Sequence, residues 1–113
     1  MSRINIAPDD PRFEPYYALA AKYQLPFILS TCDILYPKGR LRFAQPLLVD
    51  EVAVSHPAVQ FVILHFGIPW HVDAAEVILK KDNVWTELSG FLSVDAELEN
   101  LLKAGPLPGA SSP

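Results

Sequence analysis

Residues 61–71 run Phe-Val-Ile-Leu-His-Phe-Gly-Ile-Pro-Trp-His, an apolar stretch that halts at His65 and turns through Gly67 and Pro69. Four apolar residues bounded by turn formers suit a strand covered on both faces, the kind that parallel sheets use. Such a strand delivers one imidazole to its carboxyl end, where function gathers in α/β folds. An imidazole there has two chemical uses. It can hold a divalent metal through one ring nitrogen, or move a proton as general acid or base. The competing reading is a remnant imidazole hydrogen-bonded in the core, so His65 matters only if other groups join it.

The other candidates are few. Cys32 follows an apolar segment and has Ser30 and Asp33 beside it, which invites a nucleophile or soft-metal reading. A lone cysteine without a charged activator is ordinarily a small packed side chain. His71 begins the next helical stretch and either lines the same mouth as His65 or is a solvated helix start, and His56, before Pro57, reads as surface. Glu87 and Ser89 close a further apolar segment, where a carboxylate binds a cation or a substrate hydroxyl, or is simply an exposed acid. Trp70 and Trp85 read as packing anchors. There is no Gly-x-Gly-x-x-Gly, phosphate loop, Gly-x-Ser-x-Gly elbow or Cys-x-x-Cys. The basic run at 37–42 reads as a solvated loop.

The elements that must position these residues follow from periodicity and turn formers. Residues 3–7 are expected as a short strand ended by the Pro8-Asp9-Asp10-Pro11 cluster. Pro15 opens a helix to Tyr23 with Tyr16, Leu19, Ala20 and Tyr23 on one face. Residues 26–31 form a second strand. Pro46 starts a second helix with Leu48, Val49, Val52 and Ala53 inward, ended by Pro57. The third strand spans 59–65. A third helix at about 72–81 turns Ala74, Ala75, Ile78 and Leu79 inward, with Glu76 and Lys80 paired on its wet side. A fourth strand runs from 83 to 88, and a last helix at about 94–103 is capped by Ser93. Residues 1–104 thus form one domain, and 105–113 a disordered Gly/Pro/Ser tail. Strands separated by single helices pair in parallel through right-handed crossovers. The fold class is α/β: four β/α units with a parallel sheet. Either a small doubly wound sheet or half of an eight-fold β/α barrel has this pattern.

Composition narrows the function classes. With 113 residues a second domain does not fit. Nine basic against thirteen acidic residues, a formal charge of −4, leave no electrostatic footprint for nucleic acid. Half of the residues are hydrophobic, which is high for so short a chain and points to a partner surface. One cysteine suits a reducing compartment. Neither a signal-peptide core nor the run of about 20 apolar residues needed to span a bilayer is visible. A cytoplasmic protein without membrane attachment is expected.

Specific segments add a family. Asp10-Pro11-Arg12-Phe13, Leu25-Pro26, Gln45-Pro46, Val62-Ile63-Leu64-His65-Phe66-Gly67 with Pro69-Trp70, and Asn83-Val84-Trp85 ending in Leu88-Ser89-Gly90 resemble the amidohydrolase-related family of metal-dependent TIM-barrel hydrolases and decarboxylases. The resemblance runs from about residue 4 to 103 and implies that the four strands match the fourth to seventh of the barrel. It further implies a site built from a His-x-His on the first strand, histidines ending the fifth and sixth, and an aspartate ending the eighth. His65 matches the sixth-strand histidine, as metal ligand and catalytic residue, and Ser30 stands where the fifth-strand histidine belongs. The ion implied is divalent, with zinc expected.

Ligand count then limits the chemistry. A catalytic zinc needs about three protein ligands and an open position for water. One imidazole does not supply them, and a neutral serine is a poor ligand. The expectation is a hydrolase or decarboxylase for a small carboxylate, lactone or amide, in truncated and catalytically incomplete form. The alternative is a non-catalytic remnant acting as an assembly module. Half a barrel has bare strand edges and an uncovered inner face, so a homo-oligomer or association with another barrel fragment is expected. A flavodoxin-like binding module is disfavoured by the missing phosphate loop.

Overall fold

A computed structural model describes residues 4–33 and 36–89. Three parallel strands, β1 (Phe27–Leu29), β2 (Phe61–Ile63) and β3 (Val84–Thr86), lie in chain order, joined by helices α2 (Leu47–Ser55) and α3 (His71–Lys80) and preceded by α1 (Glu14–Tyr23). The register aligns Phe27 with Phe61 and Val84, Ile28 with Val62 and Trp85, and Leu29 with Ile63 and Thr86. Because side chains alternate along a strand, this register sorts them into two faces.

The first and third rows point to the helices. Leu29, Phe61, Ile63 and Val84 share one core with Tyr17 and Ala20 of α1, Val49, Val52 and Ala53 of α2, and Ala74 and Val77 of α3. Fully burying a side chain of this size is worth about 1.5–3 kcal/mol. The middle row faces away: Ile28 is 57% and Trp85 58% exposed. Consecutive strand order with all the described helices on one face is the winding of a barrel wall, not of a doubly wound sheet. The sheet is not closed.

Three expectations are corrected. Residues 4–7 form no strand: Ile4 and Asn5 turn instead, with Asn5 at φ 52°. Its side chain accepts from the Arg40 N–H at 2.8 Å and donates to the Lys38 carbonyl at 3.4 Å, stitching a loop rather than a sheet edge. The four strands expected are therefore three among the described residues. The last helix at 94–103 and the tail at 105–113 lie outside the described residues. The second correction concerns α1, which buries Tyr17 and Ala20 and leaves Tyr16, Leu19 and Tyr23 exposed. The helix is apolar nearly all round, and Tyr17 decides its rotation. Its ring packs edge-on against Phe27 and Phe61, with centroids at 4.8 and 5.4 Å, and its hydroxyl donates to the Pro8 carbonyl at 2.6 Å. Leu79 of α3, also expected inward, is exposed, and Val77 takes its place.

The amino ends of the strands are tied by Asn83. Its side-chain nitrogen donates to the carbonyls of Ala53, His56 and Val59 at 3.0–3.1 Å, joining the end of α2, the turn after it and the approach to β2. Asn83→Ala leaves those carbonyls without this donor and is expected to cost about 2–4 kcal/mol. A urea-denaturation midpoint that barely moves would show that the knot is not structural.

Candidate functional site

β2 stops at Ile63, two residues earlier than the sequence suggests, so His65 sits in a tight turn just beyond the strand. His65 and Phe66 both lie in the left-handed region, at φ 55° and 54°, followed by Gly67 at φ 70°. Two successive non-glycine residues there are uncommon and persist only where surroundings over-determine them. Phe66 is buried as an anchor. Gly67 has no alternative, since a Cβ at that position would meet Pro46 Cγ at 2.6 Å and Ala74 Cβ at 3.0 Å. The Asp33 N–H donates to the Ile68 carbonyl at 2.7 Å, joining the segment after β1 to this turn.

Glu87, just after β3, holds the turn from the other side. Its Oε1 accepts from the His65 N–H at 2.8 Å, its Oε2 from the Ser89 N–H at 2.7 Å, and its carbonyl from the Phe66 N–H at 3.0 Å. Hydrogen bonding by Ser89, then by the His65 N–H, keeps the Glu87 carboxyl below the ordinary carboxylate range.

The imidazole is fixed by the same group of residues. His65 Nδ1 faces the Ser89 carbonyl oxygen, with Ser89 Oγ at 3.1 Å and Glu87 Oε1 at 3.3 Å. A carbonyl and a carboxylate only accept, so Nδ1 carries the proton and the lone pair of the neutral ring lies on Nε2. Metal-binding histidines are commonly oriented this way, one nitrogen given to a carboxylate or carbonyl and the other left to coordinate. The arrangement is not a Ser-His-acid triad. A triad places hydroxyl and carboxylate on opposite ring nitrogens, whereas Ser89 and Glu87 share one.

The remaining candidates separate. Ser30 is half-buried one residue beyond β1, and Cys32 is fully buried. Burial, then the charges of Asp33 and Glu87, push the Cys32 thiol up to about 11, which makes it a packed side chain rather than a nucleophile at neutral pH. His71 is the first residue of α3 and half-buried. His56 is not on the surface: it sits at the amino ends of the strands, against Tyr17 and Phe61. Trp85 is not a core anchor, because it stands on the bare face with its indole N–H donating to Gln60 Oε1 at 2.7 Å. Sequence reasoning undervalued Glu87, and its only signal was the Glu-x-Ser spacing after an apolar segment. Among the described residues, no group of three or more His, Cys, Asp or Glu is placed to hold a metal ion.

The profile of one family, described as amidohydrolase, matches residues 3–107. The chain belongs to the amidohydrolase family. In fold it is similar to an uncharacterized TIM-barrel protein from Bordetella bronchiseptica, with a TM-score of 0.67 and 24% identity over 77% of this chain. The chain spans 30% of that barrel's length. No curated protein matches it. Amidohydrolases generally use a divalent metal. Tested against these residues, such an ion does not fit as a complete centre: one oriented imidazole and a hydroxyl at Ser30 fall short of a catalytic ligand set.

The assignment of ring nitrogens is checkable by nitrogen-15 NMR of the histidine side chains at about pH 8, where an ordinary histidine is neutral. His65 is expected to show a protonated Nδ1 and an unprotonated Nε2, and Glu87→Gln to mix the two tautomers. A predominantly Nε2-protonated ring in the unaltered chain would contradict the geometry.

Proposed function

We propose that this chain is one wall of a metal-dependent hydrolase or decarboxylase of the amidohydrolase type, acting on a small carboxylate, lactone or amide, and catalytically incomplete by itself. The observation that carries the reading is the orientation of His65. Its Nδ1 is committed to Glu87 and Ser89, and Nε2 is left to donate at the carboxyl end of β2. His65 is then the single metal donor of this wall, matching the histidine that ends the sixth barrel strand, with zinc the proposed ion. Glu87 and Ser89 orient it, and Ser30 marks the position from which a second imidazole is missing. The other ligands have to come from β/α units beyond these. The buried, free Cys32 fits a reducing, cytoplasmic setting, and among the described residues no helix is long and apolar enough to cross a membrane.

Zinc titration against a competing chelator tests this. The chain alone is expected to bind zinc weakly, as a one-imidazole site does, with that binding lost in His65→Ala. A stoichiometric, chelator-resistant ion would overturn the incomplete-site reading, and binding unchanged by His65→Ala would overturn the assignment of the donor.

A second reading, an assembly module, is favoured by the bare face of the sheet. Ile28, Val62 and Trp85 form an apolar row that no described helix covers, and among the described residues β1 and β3 each have an unpaired edge. The covering partner is a second copy of the chain or another barrel fragment. Size-exclusion chromatography with light scattering is expected to give a mass above one chain. A folded monomer at tens of micromolar, roughly the level where transient contacts of modest area begin to form, would count against it.

A further inference from the structure

The other end of the sheet holds an arrangement that the metal-site reading does not use. His56 is the residue that ends α2, and its ring lies between two acceptors. Nδ1 is 2.9 Å from the carbonyl of Val52, one turn back, and Nε2 is 2.8 Å from Glu14 Oε2 at the start of α1. Neither a carbonyl oxygen nor a carboxylate can donate. Only the doubly protonated imidazolium satisfies both contacts. A neutral ring has one N–H to give, so it turns a lone pair toward either the Val52 carbonyl or the Glu14 carboxylate at hydrogen-bond distance. We propose that His56 is a proton-operated latch between α1 and α2, closed as the imidazolium and loosened when the proton leaves.

The electrostatics around the ring agree. A cation at the carboxyl end of α2 and an anion at the amino end of α1 each meet the favourable end of a helix dipole, so the pair joins two dipoles in the stabilising sense. Among the described residues, the ionisable groups that line the cleft at the ring or stack on it are acidic or neutral. Asp9 comes from the turn before α1, Glu14 and Tyr17 from α1, and Glu51 from α2, while β2 and the turn before β3 contribute the uncharged Phe61 and Asn83. Tyr17 stays protonated, since burial drives its hydroxyl far above the ordinary range. Burial of the His56 ring opposes charging it, but the hydrogen bonds to Glu14 and Val52 and the Glu14 charge outweigh that, and the histidine titrates above its ordinary value. A raised folded value means the latch contributes fully below about pH 6.5, the unfolded value, and is lost as pH rises through the folded value.

What the latch holds is α1. Beside the packing of Tyr17 and Ala20 in the core, its ties to the rest of the chain include the Tyr17–Pro8 hydrogen bond and this ion pair. Opening it exposes the aromatic cluster of Tyr17, Phe27 and Phe61 at the β1 side of the sheet. The proposal stands apart from the metal-site reading, since His65 and Glu87 lie at the carboxyl ends of the strands.

The test is carbon-bound proton NMR of the three histidines against pH, with amide hydrogen exchange of α1 in the same samples. In the unaltered chain His56 is expected to titrate above the ordinary histidine value, and α1 exchange, corrected for its intrinsic pH dependence, to quicken about fivefold across that titration, the scale of a partly exposed ion pair. Glu14→Gln, which keeps the helix and the side-chain shape, is expected to lower the His56 midpoint and flatten the pH dependence of α1 exchange. His56→Gln is expected to give fast α1 exchange at all pH values. A His56 midpoint at or below the ordinary value, or one unmoved by Glu14→Gln, overturns the latch, as does α1 exchange that ignores the titration.

Discussion

The in-register pairing of three short parallel strands governs the rest of this molecule. Phe61 aligned with Phe27 and Val84, and Ile63 with Leu29 and Thr86, put every helix-facing side chain into one layer. The same pairing sends Ile28, Val62 and Trp85 to the opposite side together. A slip of one residue would exchange the two sets, burying the second and stripping the first, so the register is held by the whole apolar core and not by hydrogen bonds alone. Core, site and bare face are three outcomes of one alignment.

The two ends of the sheet answer to different physics. At the carboxyl ends, the left-handed turn through His65 and Phe66 is a conformation the chain would not adopt unaided, and Glu87 compensates with both carboxylate oxygens and its carbonyl. That use of hydrogen-bonding capacity on three backbone N–H groups and one ring nitrogen makes sense if the ring must point one way. At the amino ends, Asn83 and His56 bind carbonyls left over at the end of α2, the usual deficit of a helix terminus. There the imidazole stabilises the scaffold, and its chemistry is a matter of charge.

Family membership and completeness of the site are separate questions in this chain. The profile match spans residues 3–107 and the barrel likeness is clear in the fold, yet the three described strands account for less than half of a closed barrel. Coordination chemistry sets the threshold: an ion held by one nitrogen exchanges readily, whereas three convergent donors fix geometry and leave a site for water. Among the described residues the turn after β2 fixes the orientation of one imidazole, and no group of three or more His, Cys, Asp or Glu is placed to hold an ion.

Much of this was legible in the residues. The apolar run into His65, the helix opened by Pro15, the Val49-Val52-Ala53 face and the Asn83–Leu88 segment gave the parallel α/β order, because strands and helices bury side chains at different periods. The family motifs gave the barrel and pointed to His65. Other features were not local. Asn5 turns where its apolar neighbours read as a strand, because its side chain bonds the Arg40 N–H and the Lys38 carbonyl, 35 and 33 positions away. Which side of α1 faces in depended on the hydroxyl of Tyr17 finding Pro8, and an all-round apolar helix carries no signal for that. The roles of Glu87 and His56 required residues 22 and 42 positions apart in the chain to meet. The sequence by itself determined the alternation of helices and parallel strands from α1 to β3, and the family, both of which depend on residue type and spacing. Only the tertiary structure decided the tautomer of His65, the two acceptors that face the His56 ring and the face left bare, because each follows from which acceptors and surfaces the sheet register brings within about 3 Å.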